Sequence, residues 1–251
     1  MAVYALSDPH LSFGVPQKSM EVFGPLWKEY AERIEENWRA TIRAEDLVLI
    51  PGDISWAIYL EDALVDLKWI DKLPGTKLLL RGNHDYWWSS PKKMREVMPS
   101  SIHFIQNDVF NWNGISIGGA RLWDTEEFSF GPYIDFQENP QAKKRTAEEL
   151  ASKKEEDARL FERELQRLEL SLKNLDPHAK TRIALTHYPP ISADLKPSRA
   201  SAILEKYKVE ICVFGHLHNL KKGVQMFGEA GGIRYLLTSC DYLDFFPLRV
   251  L

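Results

Sequence analysis

Five short apolar runs in this chain break off in the same way, each into aspartate, asparagine or histidine. Val3-Tyr4-Ala5-Leu6 leads to Ser7-Asp8-Pro9-His10, and Leu47-Val48-Leu49-Ile50 leads to Pro51-Gly52-Asp53. Leu78-Leu79-Leu80 leads to Arg81-Gly82-Asn83-His84-Asp85, Ile183-Ala184-Leu185 to Thr186-His187, and Ile211-Cys212-Val213-Phe214 to Gly215-His216-Leu217-His218. Runs this short, aliphatic and bounded by Gly, Pro or Asp, predict strands rather than helices. In open α/β sheets, ligands and metals collect at the carboxyl ends of strands. A chain whose strands keep ending in such side chains is expected to gather them in one place.

Helical patterns lie between several of these runs. Leu26, Tyr30, Ile34, Trp38 and Ile42 recur every four residues with Glu and Arg on the opposite face, the mark of an amphipathic helix. Leu60, Leu64, Leu67, Trp69 and Ile70 predict a second, shorter one. Strands and helices in alternation, with a further strand at Ile115 to Gly118, predict a layered α/β fold with crossover connections. After His218 the segments 223–227, 234–238 and 248–251 have no helix between them, which predicts a second, more antiparallel sheet. Residues 141–175 are highly charged and lack Gly and Pro, with Leu160, Phe161, Leu165, Leu168 and Leu172 near helical spacing. They are expected to form a helical insertion, one long helix or a hairpin. Its plain reading is a solvated surface helix laced with opposite charges; its functional alternative is a cap or an arm joining two copies of the chain. No repeat or low-complexity linker divides the sequence, so residues 1–251 are expected to form one domain.

Composition narrows the partners. With 251 residues and 44% hydrophobic, the chain can bury a sizeable core. A net charge of -4 argues against the broad basic surface that grips duplex nucleic acid. Cys212, inside an apolar run, is expected to be a buried reduced thiol, in keeping with a reducing compartment. No apolar stretch is long enough for export or for a membrane span, so the expected location is cytoplasmic.

Residues two apart in extended chain point to the same side, so Asp8 with His10, and His216 with His218, can each close on one centre. Gly52, Gly82 and Gly215 precede candidate ligands where the chain must turn sharply and pass close to the site. The set offers imidazole nitrogens and carboxylate or amide oxygens without thiolate, which suits Mn, Fe, Zn or Ni. There are too many ligands for one structural ion. Shared through a bridging carboxylate, they make a two-metal site with ions roughly 3.5–4 Å apart.

In order and placement, these blocks resemble the calcineurin-like metallophosphoesterase superfamily: Asp-x-His, Gly-Asp, Gly-Asn-His-Asp/Glu, a lone His after a strand, and Gly-His-x-His. The likeness runs from Asp8 to His218 and is nearest to a bacterial branch. It implies a four-layer α/β/β/α sandwich of two mixed sheets. It also implies one metal held by Asp8, His10, Asp53 and His218 and another by Asp53, Asn83, His187 and His216. Many members carry an acidic residue three positions after the Gly-Asp aspartate; this chain has Trp56 there.

The resemblance implies hydrolysis of a phosphodiester or phosphomonoester by hydroxide shared between the metals. His84 would assist the leaving group, and Asp85 would hold its imidazole in the useful tautomer or cap a helix at Tyr86 to Trp88. The expected substrate is a small or nucleotide-like phosphoester. The alternatives are a catalytically silent scaffold, which typically lacks ligands that are intact here, and a nuclease, which would want a basic groove. Trp56, Tyr86, Trp87, Trp88, Trp123, Phe128, Phe130 and Tyr133 read as core or lid packing, with a stacking wall as the second reading. Arg121 reads as a surface ion pair, with contact to substrate phosphate as the alternative.

Overall fold

The computed structural model describes residues 1–135 and 146–251. Its elements are β1 (Val3–Ala5), α1 (Tyr30–Thr41), β2 (Leu47–Pro51), α2 (Leu60–Asp71), β3 (Thr76–Leu80), α3 (Pro91–Val97), β4 (Ile102–Phe104), β5 (Val109–Trp112), β6 (Ile115–Ala120), α4 (Ala147–Leu172), β7 (Thr181–Thr186), α5 (Arg199–Lys206), β8 (Ile211–Phe214), β9 (Gly228–Ala230), β10 (Ile233–Leu237) and β11 (Leu248–Arg249). One sheet runs β11-β1-β2-β3-β4 and the other β5-β6-β7-β8-β10-β9. Both are mixed: a parallel centre with an antiparallel pairing at one edge of the first sheet and at both edges of the second.

Strand alternation builds the layers. Leu47, Leu49, Leu78 and Leu80 meet Ile183, Leu185, Ile211 and Val213 in an aliphatic core between the sheets. The intervening residues face outward: Val48, Ile50 and Leu79 toward the α1 and α2 side chains, and Ala184, Cys212 and Phe214 into a cluster with α4 and α5. Every side chain of β2 and β8 is buried, as expected for strands covered on both faces. The result is the α/β/β/α sandwich.

Three differences from the sequence reading have physical causes. Helix α1 starts at Tyr30 rather than near Leu26, because Gly24 at φ +118° and Pro25 force short 3-10 turns before it. The C-terminal strands form no sheet of their own. β10 joins the second sheet parallel to β8, β9 closes its edge, and β11 pairs antiparallel with β1 in the first sheet; segment 223–227 is not a strand. Finally, the charged segment is the connection between β6 and β7, which pair in parallel and so need a long crossover. Residues 141–145 lie outside the described residues. Helix α4 opens with a capping box of Thr146 and Glu149 and lays Phe161, Leu165, Leu168 and Leu172 on the second sheet. Its apolar stripe is already covered.

Glu164 on α4 is 1% exposed and takes a hydrogen bond from Arg167 Nη1 at 2.8 Å, with Arg163 Nη2 at 3.4 Å and Arg121 Nη2 at 3.6 Å. Arg121 is therefore in a buried ion cluster, not a surface pair. Because removing one partner strands the rest, Glu164→Ala is expected to cost about 2 kcal/mol, discounted for the half-exposed Arg163 and Arg167. Thermal melting should fall by roughly 4–8 °C; an unchanged Tm would mean the guanidinium groups find water instead.

Candidate metal centre

The loops after β1, β2, β3, β7 and β8 meet at one end of the sandwich, and a network of short bonds fixes them. Asp85, fully buried, accepts N–H groups from Gly82 at 2.7 Å, Ile54 at 2.9 Å, Asp53 at 3.0 Å and Ser55 at 3.2 Å, and the Trp87 indole N–H at 3.0 Å. Its carboxylate thus ties the loop after β2 to the loop after β3. None of these bonds reaches the His84 ring, and no helix begins at Tyr86, so neither role expected for Asp85 has a contact behind it. Burial and the charge of Asp53 raise its carboxyl to about 6 despite the backbone donors.

Four of the seven candidate ligands have left-handed backbone: Asp8 (φ 57°), His10 (44°), Asp53 (52°) and His216 (73°). Asp and His tolerate this region better than most residues, but each instance still costs of order 1 kcal/mol and clusters where side chains must be aimed. Close approach explains the glycines. A Cβ on Gly82 would strike the Asp53 carboxylate, and one on Gly215 would strike Asp8 and Ser7.

All seven candidates converge. Asp53 Oδ2 lies 3.6 Å from His10 Nε2 and 3.4 Å from His187 Nε2, while its Oδ1 accepts the His84 backbone N–H at 2.8 Å. Asn83 Oδ1 is 2.7 Å from His187 Nε2 and 3.1 Å from His216 Nδ1. On the other side His10 Nε2 and His218 Nε2 face each other at 3.2 Å, with Asp8 Oδ1 3.5 Å from His218 Nε2. Asp8, His10 and His218 form one group, and Asp8, Asp53 and His187 another, whose ligand atoms all lie within 4.8 Å of one another. Two imidazole nitrogens pointed at each other, beside carboxylates, fit a shared cation.

Charge in the cluster follows burial first. Burial holds His10 at about 4 and His216 at about 3, leaving both rings neutral with lone pairs to give. Burial opposes the proton on His187, yet Asp53 overcomes it and lifts the ring to about 9. His218 is likewise raised against burial by Asp241 and Asp8. Asp8, despite burial, is held at about 2 by His218 and His187, and Asp53 lies below the usual carboxylate range for the same kind of reason. A divalent cation bound among these groups would have to displace the protons of His187 and His218.

Sequence reading missed several supports. Asp241 Oδ1 sits 2.8 Å from His218 Nδ1 and its Oδ2 accepts the Asn219 N–H at 3.0 Å, a carboxylate–histidine pairing that orients a ligand ring. The signal was present, since Asp241 follows strand β10, but a gap of three residues hid it. Trp56 stacks on His10 at 4.8 Å and 20°, and its ring is 4.5 Å from His84. The His10 Nδ1 is buried without a partner, so stacking holds that ring. Tyr188 covers His216 at 3.9 Å. Trp87 and Trp88 are core residues, Trp88 bonding Gln106. Trp123, Phe128 and Phe130 line a recess of about 300 Å³ beside His216 and Tyr188, which also holds Asp124.

The sequence profile of calcineurin-like phosphoesterases matches residues 1–220. The chain belongs to that family. Among solved structures, the phosphopantetheinyl hydrolase of Mycobacterium tuberculosis is similar at a TM-score of 0.53 and 15% identity, over 100% of this chain and 95% of that one. A protein of unknown function from Aquifex aeolicus gives a TM-score of 0.46 at 15% identity, over 99% and 95% of the two chains. A putative 5'-nucleotidase from Staphylococcus aureus gives 0.45 at 15% identity, over 94% of this chain and 48% of that one. At such identity the first of these likenesses speaks for the fold. No curated protein matches the chain. No helix among the described residues is long and apolar enough to cross a membrane.

Replacing Asp241 by Asn should weaken Mn²⁺ uptake roughly 10- to 100-fold, the usual effect of losing a carboxylate behind a ligand histidine. Calorimetric titration of metal-stripped protein measures it. Equal affinity in the variant, with an unchanged far-ultraviolet dichroism spectrum, would show that Asp241 does not orient His218.

Proposed function

We propose that the protein hydrolyses a small phosphoester with two divalent transition-metal ions. One is held by Asp8, His10, Asp53 and His218 and the other by Asp53, Asn83, His187 and His216. The observation that carries this reading is the position of Asp53 Oδ2, between a histidine from the first sheet and a histidine from the second, at 3.6 and 3.4 Å. Such cations supply Lewis acidity, which draws charge from phosphoryl oxygens and makes water acidic enough to attack near neutral pH.

The chain's own groups do the rest. Asp85 fixes the β2 and β3 loops, so that Asp53 and Asn83 are presented together. His84 stands beside His10, ring centroids 5.6 Å apart, with its backbone bonded to Asp53. Burial lowers its pKa below the ordinary histidine value. A ring N–H helps the departing ester oxygen by a hydrogen bond that strengthens as negative charge accumulates there. Tyr188 and Trp56 cover His216 and His10 and keep bulk water from their faces.

A silent scaffold would need none of these aimed side chains, and four left-handed ligand residues are an expense without a purpose there. A nuclease shares the chemistry but would want positive charge that a net -4 does not advertise.

Metal-stripped protein should regain hydrolysis of an aryl phosphomonoester, a bis-aryl phosphodiester or both when Mn, Fe, Ni, Zn or Mg is restored in turn. No activity with any metal would sink the proposal. His84→Ala should lose about 10²- to 10⁴-fold in kcat while still binding two metals by elemental analysis. Asp53→Asn should lose both metal and turnover; full occupancy in that variant would remove Asp53 from its bridging place.

A further inference from the structure

Beside the candidate centre, on the His84 side, lies an open groove of about 290 Å³ lined by Lys18, Ser19, Val22, Phe23, Trp56, Ile58 and Tyr86. Five of those seven side chains are aliphatic or aromatic, and four of the five stand well out into solvent: Val22 77% exposed, Phe23 64%, Tyr86 61% and Ile58 50%. Apolar side chains gathered in this way, rather than scattered, mark a surface that meets an apolar ligand. The fifth, Trp56, links groove and centre. Its ring packs on His10 and His84, and the Tyr86 ring lies 6.3 Å from His84.

Building on the proposed phosphoester hydrolysis, we infer that the substrate's leaving group is apolar, an alkyl or aryl alcohol, and that it lies in this groove. Hydrolysis transfers the phosphoryl group to water. A P–O bond forms to the water oxygen as the P–O ester bond breaks, the ester oxygen takes up a proton released by that water, steadied by a hydrogen bond from His84, and the group departs as an alcohol. The organic part attached to that oxygen must therefore lie on the side of His84, where the groove opens. The polar groups lining it are few. Lys18 Nζ donates to the Trp56 carbonyl at 3.2 Å, the Ser19 hydroxyl accepts the Glu21 N–H, and the Trp56 indole N–H is buried without a partner. With the Tyr86 hydroxyl, these few groups fall short of pairing both the edges of a nucleobase and the hydroxyls of a sugar. Such groups would lose water without replacement. An alkyl chain or phenyl ring has nothing to leave unpaired. The volume matches the lower end of the range for small-ligand sites, so a group of several carbons fills it.

The test uses alkylphosphonates, which cannot be hydrolysed, titrated calorimetrically into the full chain loaded with Mn²⁺. From methyl- to butyl- to octylphosphonate, Kd should tighten by roughly threefold to fourfold for each methylene buried until the groove is filled. Adenosine monophosphate should bind no more tightly than methylphosphonate. Phe23→Ser and Ile58→Ser, both at exposed positions that need not disturb folding, should flatten the chain-length dependence and leave methylphosphonate affinity unchanged. A flat series in the unaltered protein, or the same slope in both variants, overturns the inference. So does binding to phosphatidylcholine vesicles that Phe23→Ser abolishes while soluble phosphonates show no slope, since the patch then serves a membrane surface. Turnover is read separately, on methyl, octyl and phenyl phosphate. A steep binding series without hydrolysis of any ester keeps the groove and sinks the catalytic reading. Equal hydrolysis of methyl and octyl phosphate with a flat series does the reverse.

Discussion

The aliphatic layer between the two sheets decides where everything else can be. Leu49 and Leu80 from one sheet pack in it with Leu185 and Val213 from the other, and each of those strands runs on into a loop that carries a candidate ligand. Close packing there leaves little freedom for one sheet to slide over the other. The distance between Asp53 and His187, 3.4 Å across the sheet boundary, is thus set by hydrocarbon contacts several residues away. A cavity made in this layer would be felt at the centre without touching a polar atom.

Electrostatics at the centre are the counterpart of that rigidity. Two carboxylates and four histidines are held close in a site mostly cut off from water. Burial drives two of the rings toward neutrality while the carboxylates pull protons onto the other two. An arrangement so evenly divided stabilises the fold poorly by itself, because desolvation of charge opposes the attraction between partners. Its geometry makes sense as a receptacle for positive charge brought from outside, with the Asp85 and Asp241 carboxylates steadying the loops from behind.

Much of this was legible before any coordinates. Strand ends announced themselves because a buried parallel strand is an uninterrupted apolar run, and its termination in Asp53, Asn83 or His187 is abrupt. The helix on the second sheet was visible as a periodic pattern, but the strands it connects were not. Only knowledge that β6 and β7 are parallel neighbours turns an apparent insertion into their crossover, and pairing partners are not written in local periodicity. The C-terminal strands failed for the same reason: β10 and β11 go to different sheets, and short runs of similar character give no hint of which. Asp85 shows a subtler limit. Its place in the Gly-Asn-His-Asp block suggested chemistry on His84, whereas its five donors come from loops whose proximity is a property of the fold. Trp56 drew notice by its type, but nothing in the sequence told which histidine it would cover.

The two thiols offer a built-in clock. Cys240 and Cys212 are free and fully buried; Cys240 bonds the Asp8 carbonyl at 2.9 Å from one side of the centre, while Cys212 lies in β8 under Phe214 and its neighbours. Burial pushes Cys212 up to about 12 and lifts Cys240 well above its ordinary value, so neither reacts while the chain stays closed. Alkylation then proceeds only during excursions that expose them. The rates at the two positions time the breathing of the ligand loops and of the second sheet independently, in a molecule that carries no other reactive sulfhydryl.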